Sequence, residues 1–166
     1  VFTDALVTTA RIAVCSTVGC LILGSFVAVV LAFVPFPGAT LVARLIDTIL
    51  ALPSFLITLA FTFLYGTAGA VNALLAETVG ARPLNFLATP AGVIAAEITF
   101  FTPFVVRPLL ASFATISGDQ LNVAASLGAS PWRVLRSVIL PDALPALMAG
   151  GSLVLLLTLN AVSYTH

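Results

Sequence analysis

The sequence predicts an all-α membrane protein, and three observations carry that prediction: very little charge, four apolar runs of bilayer length, and helix punctuation between them. Of 166 residues, 61% are hydrophobic and 7% are charged, with a mean hydropathy of +1.23. An ordinary soluble domain has roughly a quarter of its residues charged. So few polar side chains cannot cover a water-facing surface, so the solvent for most of this surface is lipid. Six arginines, no lysine and six carboxylates give zero net charge, which excludes a nucleic-acid footprint. Cys15 and Cys20 sit five apart with no CxxC, and the one histidine is His166; this pattern predicts no metal, redox centre or other cofactor. The first residue is valine, and no basic segment with a cleavage site opens the chain. The chain is therefore expected to be a piece of a longer polypeptide, without a signal peptide.

Taken in order, the spans are expected at about 6–34, 45–65, 90–116 and 143–162, within one domain covering residues 1–166. Each exceeds or approaches the ~20 residues that a helix needs to cross hydrocarbon. In the first span Ser16, Cys20, Gly24, Ala28 and Ala32 recur every four residues. In lipid, a ridge of small side chains lets helix backbones approach, so this span is expected to be a packed interior helix. PFPGATLVAR (35–44) is a short turn, and Asp47 opens the second span, where an acid suits the N-terminal dipole. Pro53 is expected to kink that span. A longer connector, 66–89, carries Glu77 and Arg82. Alternation puts the first and third connectors on one side, with Arg44, Arg133 and Arg136; Arg82 and Arg11 lie on the other. The positive-inside rule then makes the first side cytoplasmic.

The third span, PAGVIAAEITFFTPFVVRPLLASFATI, holds Glu97 and Arg107 at membrane depth. Ionisable groups there cost at least ~2.5 kcal/mol and so face protein or water. Glu97, Thr102 and Arg107 are therefore candidates for a solute pathway. For Glu97 the alternatives are a site for an amine-bearing solute and a hydrogen-bond anchor to a neighbouring helix. Ten residues place Glu97 and Arg107 about 80° apart on the helix, which argues against a direct pair. Arg107 is expected to snorkel to the cytoplasmic boundary. Pro103 and Pro108 free backbone carbonyls and are expected to kink the helix.

The third connector, 117–142, interrupts the apolar chain with DQLNVAASLGASPWRVLRSVILPD (119–142). Locally it spells two short helices. Asp119 is placed to N-cap the first, and Gly128 suits the left-handed position that ends it. Ser130 caps the second, with Pro131 at its first position, where the missing N–H does no harm. Trp132, Leu135 and Ile139 share a face, and Leu140-Pro141 is expected to break this helix before the last span. An amphipathic helix lying on headgroups accounts for the second helix. It does not account for the first, whose Asn122, Ala124, Ala125 and Ser126 make a compact protrusion suited to a groove on a soluble partner.

The run LNVAASLGASPWRVLRSVILP resembles the EAA loop in permease subunits of binding-protein-dependent ABC importers of the type I fold. In that pattern Glu-Ala-Ala is followed by three residues, Gly, nine residues, a branched aliphatic, one residue and Leu-Pro. Here the matching positions are Asn122-Val123-Ala124, Gly128, Val138, Leu140 and Pro141. Asn122 replaces the glutamate and Val123 the first alanine, so an ion pair made by the family's glutamate has no counterpart. VPFPGATLVARLIDTILALPSFL and PFVVRPLLASFATIS are similar to the family's preceding helices, and NAVSYTH departs from the LNEF-like ending.

The resemblance implies a partial type I permease bundle, with four spanning helices plus coupling helices and both ends incomplete, in the bacterial inner membrane. Its partners would be cytoplasmic ATP-binding subunits, a second permease subunit and an external solute-binding protein. Residues 119–140 would couple to the ATPase, through Asn122, Ala124, Ala125, Gly128, Ala129, Ser130, Pro131, Val138, Leu140 and Pro141. The chain would be a transporter subunit and not an enzyme; it has no phosphate-binding glycine loop of its own, consistent with ATP chemistry on another polypeptide. AEITFFTPFVVRPLL with the loop looks most like aminoethylphosphonate permeases; iron, polyamine, thiamine and sulfate permeases share much of the pattern. The rival is a passive channel or membrane scaffold whose loop is only an interfacial anchor. An intramembrane hydrolase fits poorly, because no histidine or carboxylate cluster lies within a span.

Overall fold

In the computed structural model, residues 2–66, 68–80 and 89–163 are described. Arg82, His166 and the last residues of the NAVSYTH ending lie outside them. The described residues form eight α-helices: α1 (Phe2–Phe33), α2 (Ala39–Ala51), α3 (Ser54–Tyr65), α4 (Ala70–Val79), α5 (Pro90–Ala114), α6 (Gly118–Ser126), α7 (Pro131–Val134) and α8 (Leu140–Ser163). A π-helical turn, Leu135–Ile139, joins α7 to α8. Among the described residues, four stretches are long and apolar enough to cross a membrane: Thr3–Phe33, Phe55–Thr78, Pro90–Ala114 and Pro131–Asn160.

The core is made by α1, α5 and α8. Small residues on α1 set how closely it meets α5. Ser16, Cys20, Gly24 and Ala28 of the every-fourth ridge are buried, while Ala32 is exposed. A Cβ on Gly24 would lie 2.8 Å from Cβ and Cγ1 of Val105, so only glycine permits this crossing distance. Matching levels rise together along both helices: Cys20 Sγ lies 3.8 Å from the carbonyls of Glu97 and Ile98, and the Phe33 ring meets the Phe113 ring at a tilt of 54°, 5.3 Å between centroids. The two helices are thus parallel. Helix α8 is antiparallel to them: Gly150 packs on Val105, and Ser112 Oγ donates to the Asp142 carbonyl at 3.2 Å. The turn after α1 and the α5–α8 connection therefore share one end of the bundle, as alternation predicts.

Two expectations about the second span change. The chain is extended at Leu52 and Pro53, with ψ of 136° and 138°, so α2 and α3 are separate helices and not one kinked span. Proline disfavours helical geometry in the residue before it, which ends α2 at Ala51. Asp47 is the ninth residue of α2 rather than a member of its first turn, because Gly38 at φ +102° starts the helix earlier than expected. The longer connector contains a helix of its own, α4. Asn72 Nδ2 donates to the Gly66 carbonyl at 2.9 Å, closing the α3–α4 turn.

The helix also continues past Leu140-Pro141, where a break was expected. Proline removes one N–H and crowds the carbonyl four residues back. The wider π turn accommodates this: the Leu140 N–H donates to the Leu135 carbonyl five residues earlier. In α5 the helix likewise continues through Pro103 and Pro108.

Candidate functional site

Helices α6 and α7 form an elbow at the bundle end shared by α1, α5 and α8. None of α6 is buried. Its C-terminus is closed by two reciprocal backbone bonds: Gly128 N–H to the Ala125 carbonyl and Ala129 N–H to the Ala124 carbonyl, both 3.0 Å. That closure requires a left-handed residue one position past the cap, and Gly128 supplies it at φ +75°. The spacing from Ala124 and Ala125 to Gly128 is thus the spacing of a helix stop. Ser130 Oγ then accepts from the Arg133 N–H at 3.4 Å, with Pro131 at the start of α7.

One cap differs from expectation. Ser117, not Asp119, accepts from the Gln120 N–H, at 3.3 Å, and Asp119 sits inside the first turn as a dipole partner. The carbonyl of Ser117 already accepts the first bond, so the helix begins two residues before the expected cap. Ser117→Ala is expected to lose about 1 kcal/mol of α6 stability and Asp119→Ala less, read as a larger rise in hydrogen exchange of α6 amides in the first variant.

The elbow exposes its apolar tips. Leu127 is 82% and Trp132 is 67% exposed, so Trp132 does not join the inward face, which is built from Val134, Leu135, Val138 and buried Ile139. The other elbow candidates, Asn122, Ala125, Gly128, Ser130, Pro131, Leu140 and Pro141, are exposed, and Ala124, Ala129 and Val138 are half-buried.

The three pathway candidates separate. Glu97 and Thr102 are buried inside the core. Glu97 Oε2 on α5 and Ser16 Oγ on α1 are both buried without a hydrogen-bond partner among the described residues. Thr102 Oγ1 donates to the Ile98 carbonyl of its own helix. Arg107 instead lies on the outer side of α5, where its Nε and Nη2 both contact Asp47 Oδ1 of α2. Asp47, brought alongside by α2, gives it a partner of opposite sign. Asp47 was legible as an acid near the same depth, but its partner was not, because the pair spans sixty positions.

Apolar helices of crossing length joined by an exposed glycine elbow define a multi-pass membrane protein. The chain belongs to the family of inner membrane components of binding-protein-dependent transport systems, whose profile matches residues 7–165. The regular structure of its described residues is helical throughout, as an inner-membrane component of that family requires. The chain is 55% identical to the "Putative 2-aminoethylphosphonate transport system permease protein PhnU" of Salmonella typhimurium, over 96% of this chain and 56% of that one. Identity to the Salmonella typhi protein of the same name is 54% over the same shares. The sulfate transport system permease protein CysT of Escherichia coli is 30% identical, over 80% of this chain and 46% of its own. The chain spans about half the length of the curated relatives it matches.

Proposed function

We propose that this chain is the transmembrane part of an ATP-driven importer whose solute is 2-aminoethylphosphonate, and that residues 119–140 couple it to a cytoplasmic ATPase. The observation that carries the coupling is the elbow: exposed small residues and Leu127, stopped by Gly128, run on through α7 and the π turn into α8. A push on the elbow is delivered to a helix packed on both α1 and α5, which is how hydrolysis elsewhere would tilt the spans. ATP hydrolysis belongs to a separate subunit; a second permease subunit and an external solute-binding protein complete the assembly. The solute assignment is supported by 55% identity along nearly the whole chain.

The test uses the full-length protein, with Cys15 and Cys20 replaced and cysteine at Ser126, assembled with its ATPase. Crosslinking from position 126 to the ATPase that changes on adding ATP is the expected result. An inserted, co-purified assembly that never crosslinks there would return the loop to the headgroups.

A further inference from the structure

Among the charged side chains at membrane depth, Asp47 and Arg107 stand apart because they are paired and yet uncovered. They meet where α2 crosses α5, about 10 Å in from the elbow end of α5, counting seven residues at ~1.5 Å. Their side chains remain 46% (Arg107) and 42% (Asp47) exposed. Charges at that depth do not face lipid; they face water or protein. The side of the bundle that carries the pair is thus a lined face, unlike the sides where Phe26 of α1, Phe63 of α3 and Met148 of α8 are exposed.

We propose that Asp47 and Arg107 together form a binding site for a zwitterionic solute, taking its acid group on Arg107 and its ammonium on Asp47. This inference rests on the solute reading above. A guanidinium presents a planar fork that matches the oxygens of a phosphonate, and a carboxylate accepts from an ammonium. The two protein groups already touch, so a small molecule carrying both charges exchanges with the ion pair one contact at a time. Each protein charge keeps a partner of opposite sign throughout, and no bare charge is left inside the membrane. A simple dianion such as sulfate has no such exchange: it satisfies Arg107 and leaves Asp47 facing like charge. The pair thus selects for solutes that carry an amine as well as an acid. Glu97 is buried in the core and takes no part.

The decisive experiment measures uptake of radiolabelled 2-aminoethylphosphonate into proteoliposomes that hold the full-length transporter with its ATPase and binding protein. Basal ATP hydrolysis is read in parallel. The apolar double variant Asp47→Leu/Arg107→Met keeps the bulk of both side chains, and an accessible ion pair contributes only about 0–1 kcal/mol to stability, so the bundle is expected to stay folded. The expected result is basal hydrolysis within about twofold of wild type and uptake reduced at least tenfold, the scale set by lost hydrogen bonds to charged groups. Asp47→Asn alone is expected to narrow the preference for 2-aminoethylphosphonate over ethylphosphonate in competition. Undiminished uptake by the double variant overturns the site, as does loss of uptake and basal hydrolysis together, which makes the pair a structural latch. A wild-type transporter that hydrolyses ATP and imports no 2-aminoethylphosphonate overturns the solute reading itself, and this inference with it.

Discussion

Gly128→Val is expected to cut ATP-driven uptake at least tenfold while leaving the protein inserted and its core intact. A Cβ at position 128 would meet nothing within 4 Å, so sterics with the rest of the chain play no part. What changes is the backbone: φ +75° costs a non-glycine residue about 1–2 kcal/mol, and β-branching adds to that. Relaxing φ removes the two bonds from Gly128 and Ala129 to the alanine carbonyls, so α6 frays and α7 leaves its angle. Asn adopts the left-handed region more readily than other side chains, so Gly128→Asn is expected to retain most of the activity. The crosslink from position 126 reads the same ranking independently of transport. Equal loss in the valine and asparagine variants would mean that a side chain of any kind is excluded, by a partner groove and not by the backbone.

The second large effect is expected at Gly24. Replacing it with leucine drives a side chain into Val105, whose Cβ and Cγ1 would stand 2.8 Å from the new Cβ, with the Thr102 carbonyl at 3.4 Å. Val105 is fully buried and β-branched, so it has little room to turn, and the helices must part. Overpacking of this kind costs about 1–3 kcal/mol, and it also loosens the contact that buries Ser16, Cys20 and Glu97. A lower midpoint of thermal unfolding in mild detergent is the expected reading. Gly19→Ala is the contrast: its Cβ would strike Ile98 at 2.3 Å, but at Cδ1, the far end of a flexible side chain. The smaller loss is expected there. Pairing Gly24→Ala with Val105→Gly, which removes the Cβ that is struck, should recover stability beyond the sum of the two changes, because the residues share one contact.

The features that could be read without a fold are those closed by short-range bonds. Gly128, Ser130 and Pro131 act within five residues of their partners, and the sequence signals at those positions are direct. The every-fourth ridge on α1 was legible for the same reason: helical period alone puts Ser16, Cys20, Gly24 and Ala28 on one face. Its failure at Ala32 follows from the same period: four residues turn about 400°, so each step drifts about 40° and Ala32 lies about 160° around the helix from Ser16. Pro53 and Pro141 carry the same warning in sequence and have opposite outcomes. At Pro53 the chain opens and α2 ends. At Pro141 the helix continues, because a π turn immediately before it relieves the clash and Ile139 is held in the core.

By itself the sequence determined that this protein crosses a membrane as helices, where the elbow turns, and which face of α1 packs. Each follows from composition, from helical period or from bonds between near neighbours, all of which are present before any helix meets another. Only the tertiary structure decided that Arg107 answers to Asp47, that Glu97 faces Ser16 inside the core, and that the elbow is continuous with α8. Those facts depend on the rotation and register of helices far apart in the chain. Register here is set by how closely Gly24 lets α1 approach α5, a distance that no local pattern encodes.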